Sequence, residues 1–342
     1  MIIVRAASLD DTDQLWKLIN QAALGMTSLQ ITREQLNERI EGSHFAFARK
    51  TERPGSDNYV FVMEDLAKHQ LVGTSCIFSK TGGYEPFYSY RRVVETARCE
   101  LLGVSQQIES LQLQKIHDGP TEIGSLFLDA AYRGRGRGRL LSLSRFIFIA
   151  RHPKRFAQEV IAEMRGVVND DGTCPFWEAI GRHFFNMEFP QADSLSTIDK
   201  RFIEDLMPRH PIYLCLLPAE GRAVIGHVHP HTEPALAMLR DEGFEVVDMI
   251  DIFDGGPVVA CKRDSIAAVR RVVEAPILEI AERLDAPEVI LASRQGGFRA
   301  MLGPARHTDT GIIIPDIVAL TLGVREGDPL AMLNPKAHHR GA

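Results

Sequence analysis

Hydrophobic residues recur with two different periods along this chain, and the two periods predict both helices and strands. In the segment 10–24, Leu15, Leu18 and Ile19 fall on one helical face, with acidic residues at the start. The run at 71–78 is mostly apolar and predicts a buried central strand. Further helices are predicted at 32–41, 138–151, 175–185 and 233–244, and further strands at 2–6, 44–49, 59–64, 121–128, 156–164 and 211–217.

An aromatic segment follows the predicted central strand. A pair of glycines at 82–83 precedes Phe87, Tyr88 and Tyr90. Paired glycines are typical of a turn. We therefore expect an ordered loop here, with its aromatic rings facing a ligand.

The pattern changes from about residue 264, where short β-rich segments alternate with Gly, Pro and Asp. We expect residues 1–263 to form the main region, with a possible internal boundary near 165–210. Residues 264–342 are expected to form a small barrel or sandwich with a frayed tail. Its strands are predicted at 276–280, 288–292, 298–302, 311–314, 317–322 and 329–333.

One weak internal similarity joins two segments of the main region. CPFWEAIGRHFF at 174–185 and EPALAMLRDEGF at 233–244 both have the pattern of a helix that ends in glycine and an aromatic residue. A glycine in that position is commonly a helix C-cap. The similarity therefore fits two unrelated helix ends or a duplicated αβ unit.

The composition is that of an ordinary globular protein, and it narrows the possible partners. The chain has 342 residues, of which 45% are hydrophobic, and this length favours two or three domains. A net charge of −6 argues against a nucleic-acid binder. We expect no membrane segment and no signal peptide. Five scattered cysteines favour neither a disulfide framework nor a zinc site, and they fit a cytoplasmic protein.

The most informative motif lies between the strand at 121–128 and the helix at 138–151. There Arg133, Gly136 and Gly138 form an R-x-x-G-x-G pattern. Glycines let the backbone approach a ligand closely, and a helix start offers unpaired N–H groups and a positive dipole end. The motif therefore predicts a site for a phosphate or pyrophosphate.

Other phosphate-binding motifs fit this turn less well. The third glycine of a dinucleotide-binding G-x-G-x-x-G pattern would fall at Arg139, and the G-K-[ST] ending of a P-loop is missing. A basic surface turn or an RNA-binding arginine–glycine segment are the remaining alternatives. The acidic balance of the chain weakens the RNA alternative.

An apolar strand followed by R-x-x-G-x-G resembles the pyrophosphate loop of the acyl-CoA N-acyltransferase (GNAT) superfamily. Longer segments, which span most of residues 1–260, resemble one family within it, the arginine N-succinyltransferases. These segments are SLFLD at 125–129, LLSLSRFIFIA at 140–150, VIAEMRGVVNDDGTCPFWEAIGRHFFNMEFPQAD at 160–193, EDLMPRHPIY at 204–213, VIGHVHPHTEPALAMLRDEGF at 224–244 and DIFDGGP at 251–257.

The resemblance implies an α+β fold: a GNAT-like mixed sheet flanked by helices. A duplicated GNAT-type unit within it stays open. It also implies succinyl transfer from succinyl-CoA to the α-amino group of L-arginine, which opens succinyl-dependent arginine breakdown. Succinyl-CoA would be a cosubstrate, with no tightly bound cofactor. Ornithine or another amine as acceptor, an acetyl donor, and a non-catalytic acyl-CoA sensor stay open. We expect a homo-oligomer or a pairing with a paralogous subunit.

The resemblance places the acyl-CoA on the strand end and the loop. Leu126 matches a succinyl-CoA contact of the family, with Phe127 and Leu128 beside it, although all three also fit core packing. The loop would surround the pyrophosphate with backbone N–H groups. Its residues are Arg133, Gly134, Arg135, Gly136, Arg137 and Gly138.

The resemblance also identifies His229 as the proton donor to the departing CoA thiolate, a role that suits a group titrating near neutral pH. His229 stands in HVHPH with His227 and His231, whose alternation makes a three-histidine metal site conceivable. Pro230 disturbs that geometry, and we expect no metal.

The amino-acid substrate needs carboxylates for its guanidinium and a basic group for its carboxylate. Glu163, at the end of a predicted strand, is a candidate general base. Asp251 and Asp254 are candidates for the guanidinium, and Arg165 is a candidate for either the succinyl or the substrate carboxylate. Each of the four also fits a salt bridge or a turn.

Overall fold

The computed structural model describes residues 1–21, 29, 31–50, 52–83, 85–196 and 200–335. Strands and helices alternate along the chain, and the strands join into one mixed sheet. The strands are Ile2–Ala6 (β1), Asn58–Asp65 (β2), Gln70–Phe78 (β3), Phe87–Cys99 (β4), Val104–Ile116 (β5), Thr121–Leu128 (β6), Glu159–Glu163 (β7), Ile212–Tyr213 (β8), Glu245–Ile250 (β9), Pro257–Lys262 (β10), Val273–Ala281 (β11), Glu288–Ser293 (β12), Arg299–Pro304 (β13), Arg306–His307 (β14), Ile312–Pro315 (β15) and Pro329–Leu333 (β16).

Helices flank this sheet, so the expected α+β fold with a mixed sheet and flanking helices is confirmed. They are Thr12–Ile19 (α1), Arg33–Ala48 (α2), Arg137–Arg151 (α3), Pro175–Ala179 (α4), Gly181–Phe185 (α5), Phe189–Ser196 (α6), Arg201–Leu206 (α7), Ala219–Ala223 (α8), Glu233–Asp241 (α9), Ala267–Arg271 (α10) and Asp316–Leu322 (α11). Within the described ranges, no helix is both long and apolar enough to cross a bilayer.

The C-terminal strands continue the main sheet. The strand order is β14-β15-β11-β16-β12-β13-β1-β2-β3-β6-β7-β10-β9-β4-β5-β8. The connection is the antiparallel pair β1–β13, in which Ile3 lies opposite Met301. Backbone hydrogen bonds therefore link the part beyond residue 264 to the N-terminal strand. The domain boundary and the barrel or sandwich geometry stay predictions, and residues 336–342 of the expected frayed tail lie outside the described residues.

Two hydrophobic layers hold the helices on the central strands. One layer packs α1 and α2 against the sheet and includes Leu15, Ile40 and Cys76. The other packs α3 and α9 and includes Phe146 and Leu236. Because a central strand is covered on both faces, its residues are apolar nearly throughout, as in the run 71–78. The prediction of a central strand at 71–78 is confirmed by β3.

A third hydrophobic cluster fills the space beside the last strands of the main region. It is built around Trp177 and Phe176 of α4 and includes Tyr88 and Tyr90 of β4. The expected aromatic loop is therefore wrong: Phe87, Tyr88 and Tyr90 belong to a strand, and Tyr90 is fully buried. The rings pack in the core instead of facing a ligand. The duplicated αβ unit stays a prediction.

Three further element predictions are wrong for local reasons. The segment 44–49 belongs mostly to α2, which a capping box between Thr32 and Gln35 starts. The segment 317–322 is helical because Val318, Ala319 and Leu322 face inward at helical spacing. The expected strand 211–217 shortens to β8 and a turn of 3₁₀ helix. Of the helix expected at 10–24, α1 covers the middle, and residues 22–24 lie outside the described residues.

Candidate active site at the opening between two parallel strands

The strands β6 and β7 are parallel neighbours that separate along their length. Thr121 pairs with Val160 and Glu122 pairs with Ile161, and the pairing ends there. The last three residues of β6, 126–128, are half-buried. Their backbone groups on the β7 side are left without a strand partner along this stretch. The opening therefore exposes a strand edge to which an extended ligand can bind.

A β-bulge marks the place where β6 leaves β7. The register of β6 against β3 shifts between Thr74 and Cys76, and Ser125 has a positive φ of 52°. Such a φ is uncommon for a residue with a side chain and recurs at functional positions. An extra residue in one strand turns the backbone locally. Here it lies at the mouth of the opening.

The Arg/Gly loop follows β6 directly and starts α3. Gly134, Arg135 and Gly136 all have positive φ, at 91°, 50° and 73°. A side chain added at Gly134 would meet no atom within 4 Å, and one at Gly138 would meet only Leu128 Cδ2 at 4.0 Å. The space above these glycines is therefore open, and the first N–H groups of α3 face a site that can take an anion.

The arginines of the loop fall into two groups. Arg137 lies over the Tyr132 ring, 5.3 Å from its centroid. Arg139 donates to Asp241 Oδ2 at 2.9 Å and so ties α3 to α9. Arg133 and Arg135 are exposed. The exposed pair is the better placed to contact a phosphate that approaches from solvent.

Three carboxyl groups lie together at the opening, on the side away from the Arg/Gly loop. Glu122 of β6, Glu163 at the end of β7 and Asp251 after β9 are half-buried. Burial, and repulsion from Glu122 and Asp251, raise the pKa of Glu163 well above its usual range, and Lys200 opposes this shift. Burial likewise raises the pKa of Glu122. A cation that entered this cluster would relieve the repulsion.

Glu122 is the member of the cluster that the sequence interpretation missed. Its signal was available, because it is the one charged residue in the strand TEIGSLFL. A charged side chain in a central strand is costly unless it is paired or used. The neighbouring Asp251 turns its Oδ1 toward the N–H groups of Phe253 and Asp254, at 2.7 and 2.8 Å.

Asp254 has a structural position. It is buried, and its two oxygens accept from the N–H groups of Gly166 at 2.7 Å and Gly256 at 2.8 Å. A side chain on either glycine would collide with this contact. Asp254 therefore fixes the segment after β7 against the turn before β10. Its expected contact with a guanidinium stays a prediction, and the observed contacts of both oxygens are with the backbone.

Arg165 lies just after Glu163, with its side chain half-buried. Its Nε is buried without a hydrogen-bond partner among the described residues. Burial lowers the pKa of the guanidinium, and Asp254 and Asp193 oppose the shift. The group thus retains donor capacity for a carboxylate. Its own carbonyl accepts from the His229 N–H at 2.9 Å, which brings the histidine segment to this end of the opening.

His229 is held in one orientation by backbone groups. Its Nδ1 accepts from the His231 N–H at 3.1 Å. Burial, and then the charge of Arg165, lower its pKa, so the ring is neutral at pH 7 with its proton on Nε2. His231 is exposed. Within the described part of the chain, no cluster of three His, Cys, Asp or Glu side chains can hold a metal ion.

The opened strand pair, the glycine loop and the titratable groups define an acyltransferase that uses an acyl-CoA. The comparisons with known proteins identify the family. A family profile described as "Arginine N-succinyltransferase beta subunit" matches residues 2–268. The chain belongs to the arginine N-succinyltransferase family, as the sequence predicted.

Individual relatives match along the whole length. Arginine N-succinyltransferase subunit beta of Pseudomonas aeruginosa is 38% identical, with 99% of this chain and 100% of the relative covered. Arginine N-succinyltransferase of Yersinia pseudotuberculosis is 37% identical, with 98% of each covered. The structure of arginine/ornithine succinyltransferase subunit AI from P. aeruginosa superposes with a TM-score of 0.90 at 30% identity, covering 98% of this chain and 99% of the other. These matches agree with the fold described above.

Proposed function

We propose that this protein transfers the succinyl group of succinyl-CoA to the α-amino group of L-arginine, giving N2-succinylarginine and CoA. One observation carries the choice of acceptor beyond the family match. The carboxyl cluster of Glu122, Glu163 and Asp251 borders the strand opening that suits an acyl-CoA. A strongly basic amino acid is the natural cation for this cluster.

The acyl-CoA is proposed to lie along α3 and β6. The pyrophosphate would bind the N–H groups of residues 134–138 and the exposed Arg133 and Arg135. The pantetheine arm would follow the free edge of Leu126, Phe127 and Leu128, where backbone groups replace a missing strand. This path ends at the bulge of β6. The thioester would therefore lie between this part of β6 and the carboxyl cluster.

The amino acid is proposed to enter from the opposite side. Glu122 and Asp251 would hold the guanidinium, and Arg165 would bind the α-carboxylate through its free donor. We leave Asp254 out of this set because its oxygens hold the backbone. Glu163 is the proposed base, since a carboxyl group with a raised pKa accepts a proton more readily near neutral pH.

The chemical step then proceeds through a ternary complex. Glu163 takes a proton from the α-ammonium group, and the free amine attacks the thioester carbon. The tetrahedral intermediate loses a second proton from nitrogen to solvent, forms the amide and breaks the carbon–sulfur bond. The departing thiolate accepts a hydrogen bond from the Nε2–H of His229. The thiolate then takes a proton from solvent, so one proton is produced per turnover.

The acceptor alternative is ornithine, since one solved relative is described as an arginine/ornithine succinyltransferase. Ornithine also carries a side-chain cation, so the same carboxyl cluster fits it. A guanidinium is planar and forms paired hydrogen bonds with carboxylates, which favours arginine. The five free cysteines fit a reducing compartment, and we propose that the enzyme is cytoplasmic.

An assembly of subunits is also proposed, as a homo-oligomer or with a paralogous subunit. It is supported by the hairpin of β4 and β5, which leaves the sheet as a two-stranded arm. β4 pairs with β9 only at Tyr90 and Arg91. At the tip, Leu101 is 92% exposed and Leu102 is 72% exposed. Two isolated strands are marginally stable, so an apolar arm of this kind favours a protein partner.

A thiol-release assay tests the proposed reaction. The purified protein is mixed with succinyl-CoA or acetyl-CoA, each crossed with arginine or ornithine, and free CoA is measured. We expect release that needs the amino acid and is fastest with succinyl-CoA and arginine. Binding of the CoA ester without release with any basic amino acid would instead support an acyl-CoA sensor. An equal rate with acetyl-CoA and succinyl-CoA would contradict the proposal that succinyl is the preferred acyl group.

A further inference from the structure

Among the described residues, a buried arginine in α3 has no acidic hydrogen-bond or ion-pair partner. Arg145 is 2% exposed, which makes it one of the largest fully enclosed side chains of the protein. Within the described ranges, its hydrogen bonds go only to Ser142, from Nε to the carbonyl at 3.2 Å and from Nη2 to Oγ at 2.9 Å. The guanidinium lies 6.0 Å from the centroid of the Phe146 ring. A buried charge without a counter-ion is costly.

The position of Arg145 along α3 places it beside the strand opening. Gly138 at the start of α3 lies against Leu128, the last residue of β6. One turn farther, Leu141 Cδ2 lies 3.1 Å from the position of a side chain added at Gly73 of β3, the strand beside β6. Arg145 follows Leu141 by four residues and therefore lies on the same face of α3, toward β3 and β6. The helix therefore runs back along β6, and Arg145 lies level with the bulge.

The guanidinium also points back toward the CoA loop, because both of its hydrogen bonds go to a residue one turn earlier. Ser142 follows Gly138 by four residues, a rise of roughly 6 Å along the helix. A pantetheine arm that followed the free edge of β6 from the loop would end at the same level. The acyl group would then lie next to the guanidinium.

Other cations near the opening already have carboxylates around them. Arg165 is balanced by Asp254 and Asp193. For Arg39, Cys76 and the carboxyl group of Glu122 both oppose the effect of burial on the pKa. For Arg145, burial lowers the pKa of the guanidinium to about 10, and only the Cys76 thiol opposes this shift. Of these three arginines, Arg145 alone has no carboxylate beside it among the described residues.

We propose that Arg145 binds the terminal carboxylate of the acyl group and so determines the selectivity for dicarboxylic acyl-CoA esters. This inference deepens the proposed function and rests on it for the identity of the ester. It assigns a different arginine to each carboxylate of the reaction. Arg145 binds that of the acyl group, and Arg165 binds that of the amino acid. A charge-assisted, paired hydrogen bond from a guanidinium suits a carboxylate that must be distinguished from a methyl group.

Binding measurements without an amino-acid acceptor test the proposal. Calorimetry compares succinyl-CoA with butyryl-CoA, which has the same chain length and a methyl group in place of the carboxylate. We expect the wild type to prefer succinyl-CoA. In Arg145→Met this preference falls by about 10- to 100-fold, while butyryl-CoA affinity changes little. Arg145→Lys keeps the charge without the fork and should lose part of the preference.

Arg39→Met is the matched control, since it removes another buried guanidinium near the opening, one that has Glu122 beside it, and should leave the preference intact. Unfolding of each variant is followed by circular dichroism. If Arg145→Met does not fold, Arg145→Lys and Arg145→Gln provide the same comparison. A folded Arg145 variant that keeps the wild-type preference would overturn the proposal. A wild type that prefers succinyl-CoA but never releases CoA would contradict the proposed reaction and leave this site standing.

Discussion

Three carboxyl groups at the strand opening repel one another, and this repulsion sets how single residues respond to pH. Glu163 receives the repulsion of Glu122 and Asp251 in addition to the cost of its own burial, so its pKa is raised well above its usual range. A base with a raised pKa keeps its proton to a higher pH than an ordinary glutamate does. Catalysis should therefore rise with pH until Glu163 is ionised.

Replacing Glu163 tests its role as the base. Glu163→Gln should lower kcat by roughly 10²- to 10⁴-fold, the usual contribution of a positioned base. The acidic limb of the pH–rate profile should disappear with it. Glu159→Gln is the control, because Glu159 lies on the same strand and is exposed. A Glu163→Gln enzyme with the wild-type pH profile would show that another group takes the proton.

The same variant should raise the stability of the fold, although it lowers kcat. A carboxyl group whose folded pKa is raised contributes stability below its unfolded pKa, about 4.5, and loses that contribution as pH rises through the folded value. Ionised Glu163 thus destabilises the fold at neutral pH. Thermal unfolding should show Glu163→Gln with a higher Tm at pH 7 than the wild type, and with little difference at pH 4.

His229 is tested by comparison with its neighbour. His229→Ala should lower turnover by about 10²-fold, because the departing sulfur loses its donor, while CoA affinity is retained. His231→Ala removes an exposed ring but keeps the backbone N–H that orients His229, so turnover should change little. Equal activity in the two variants would assign His229 a structural role through its backbone contacts.

At the scale of elements, the glycines at the start of α3 differ in what they require. Gly134 and Gly136 have positive φ, which favours glycine. The φ of Gly138 is not positive, and a methyl group would fit against Leu128. The fold therefore does not require glycine at 138, whereas the proposed binding of a pyrophosphate against this backbone would.

The variant Gly138→Ala separates these two requirements. The protein should remain as stable as the wild type or become more stable by up to about 1 kcal/mol, since alanine favours helix. Its affinity for CoA should fall by about tenfold or more through steric exclusion. Gly42→Ala in α2, where nothing lies within 4 Å of the added methyl group, should leave CoA binding unchanged. Unaltered CoA affinity in Gly138→Ala would contradict the loop assignment.

At the scale of the whole molecule, one sheet connects the C-terminal strands, the site and the projecting hairpin. The site lies near the middle of this sheet, where β6 and β7 separate. The hairpin of β4 and β5 leaves it on one side and carries exposed leucines at its tip. The proposed substrate site and the proposed subunit contact thus lie on different parts of the same sheet.

The hairpin predicts a measurable association. The double variant Leu101→Ser with Leu102→Ser should weaken self-association, or association with a paralogous subunit, by at least about tenfold, because an apolar contact is lost. Sedimentation or light scattering gives the mass. Leu320→Ser is the control, since Leu320 is 79% exposed on α11 and lies outside the arm. A double variant that assembles like the wild type would exclude the arm as an interface.

Local sequence was sufficient for the strongly patterned elements and for the glycine loop. β1, β3, β6 and α3 were predicted, because their apolar periods are regular. The helical end of α2 was missed, since a capping box twelve residues earlier decides it. The joining of β13 to β1, and the meeting of Glu122 with Asp251, depend on contacts between distant parts of the chain. Short-range periodicity holds no information on such contacts.

A crystal structure of the protein with CoA and L-arginine tests the central claim most directly. The predicted result places the pyrophosphate within hydrogen-bond distance of the N–H groups of residues 134–138. It also places the pantetheine arm along 126–128 and the guanidinium beside Glu122 and Asp251. A CoA bound away from the β6–β7 opening, or an arginine held outside the carboxyl cluster, would contradict the proposed site.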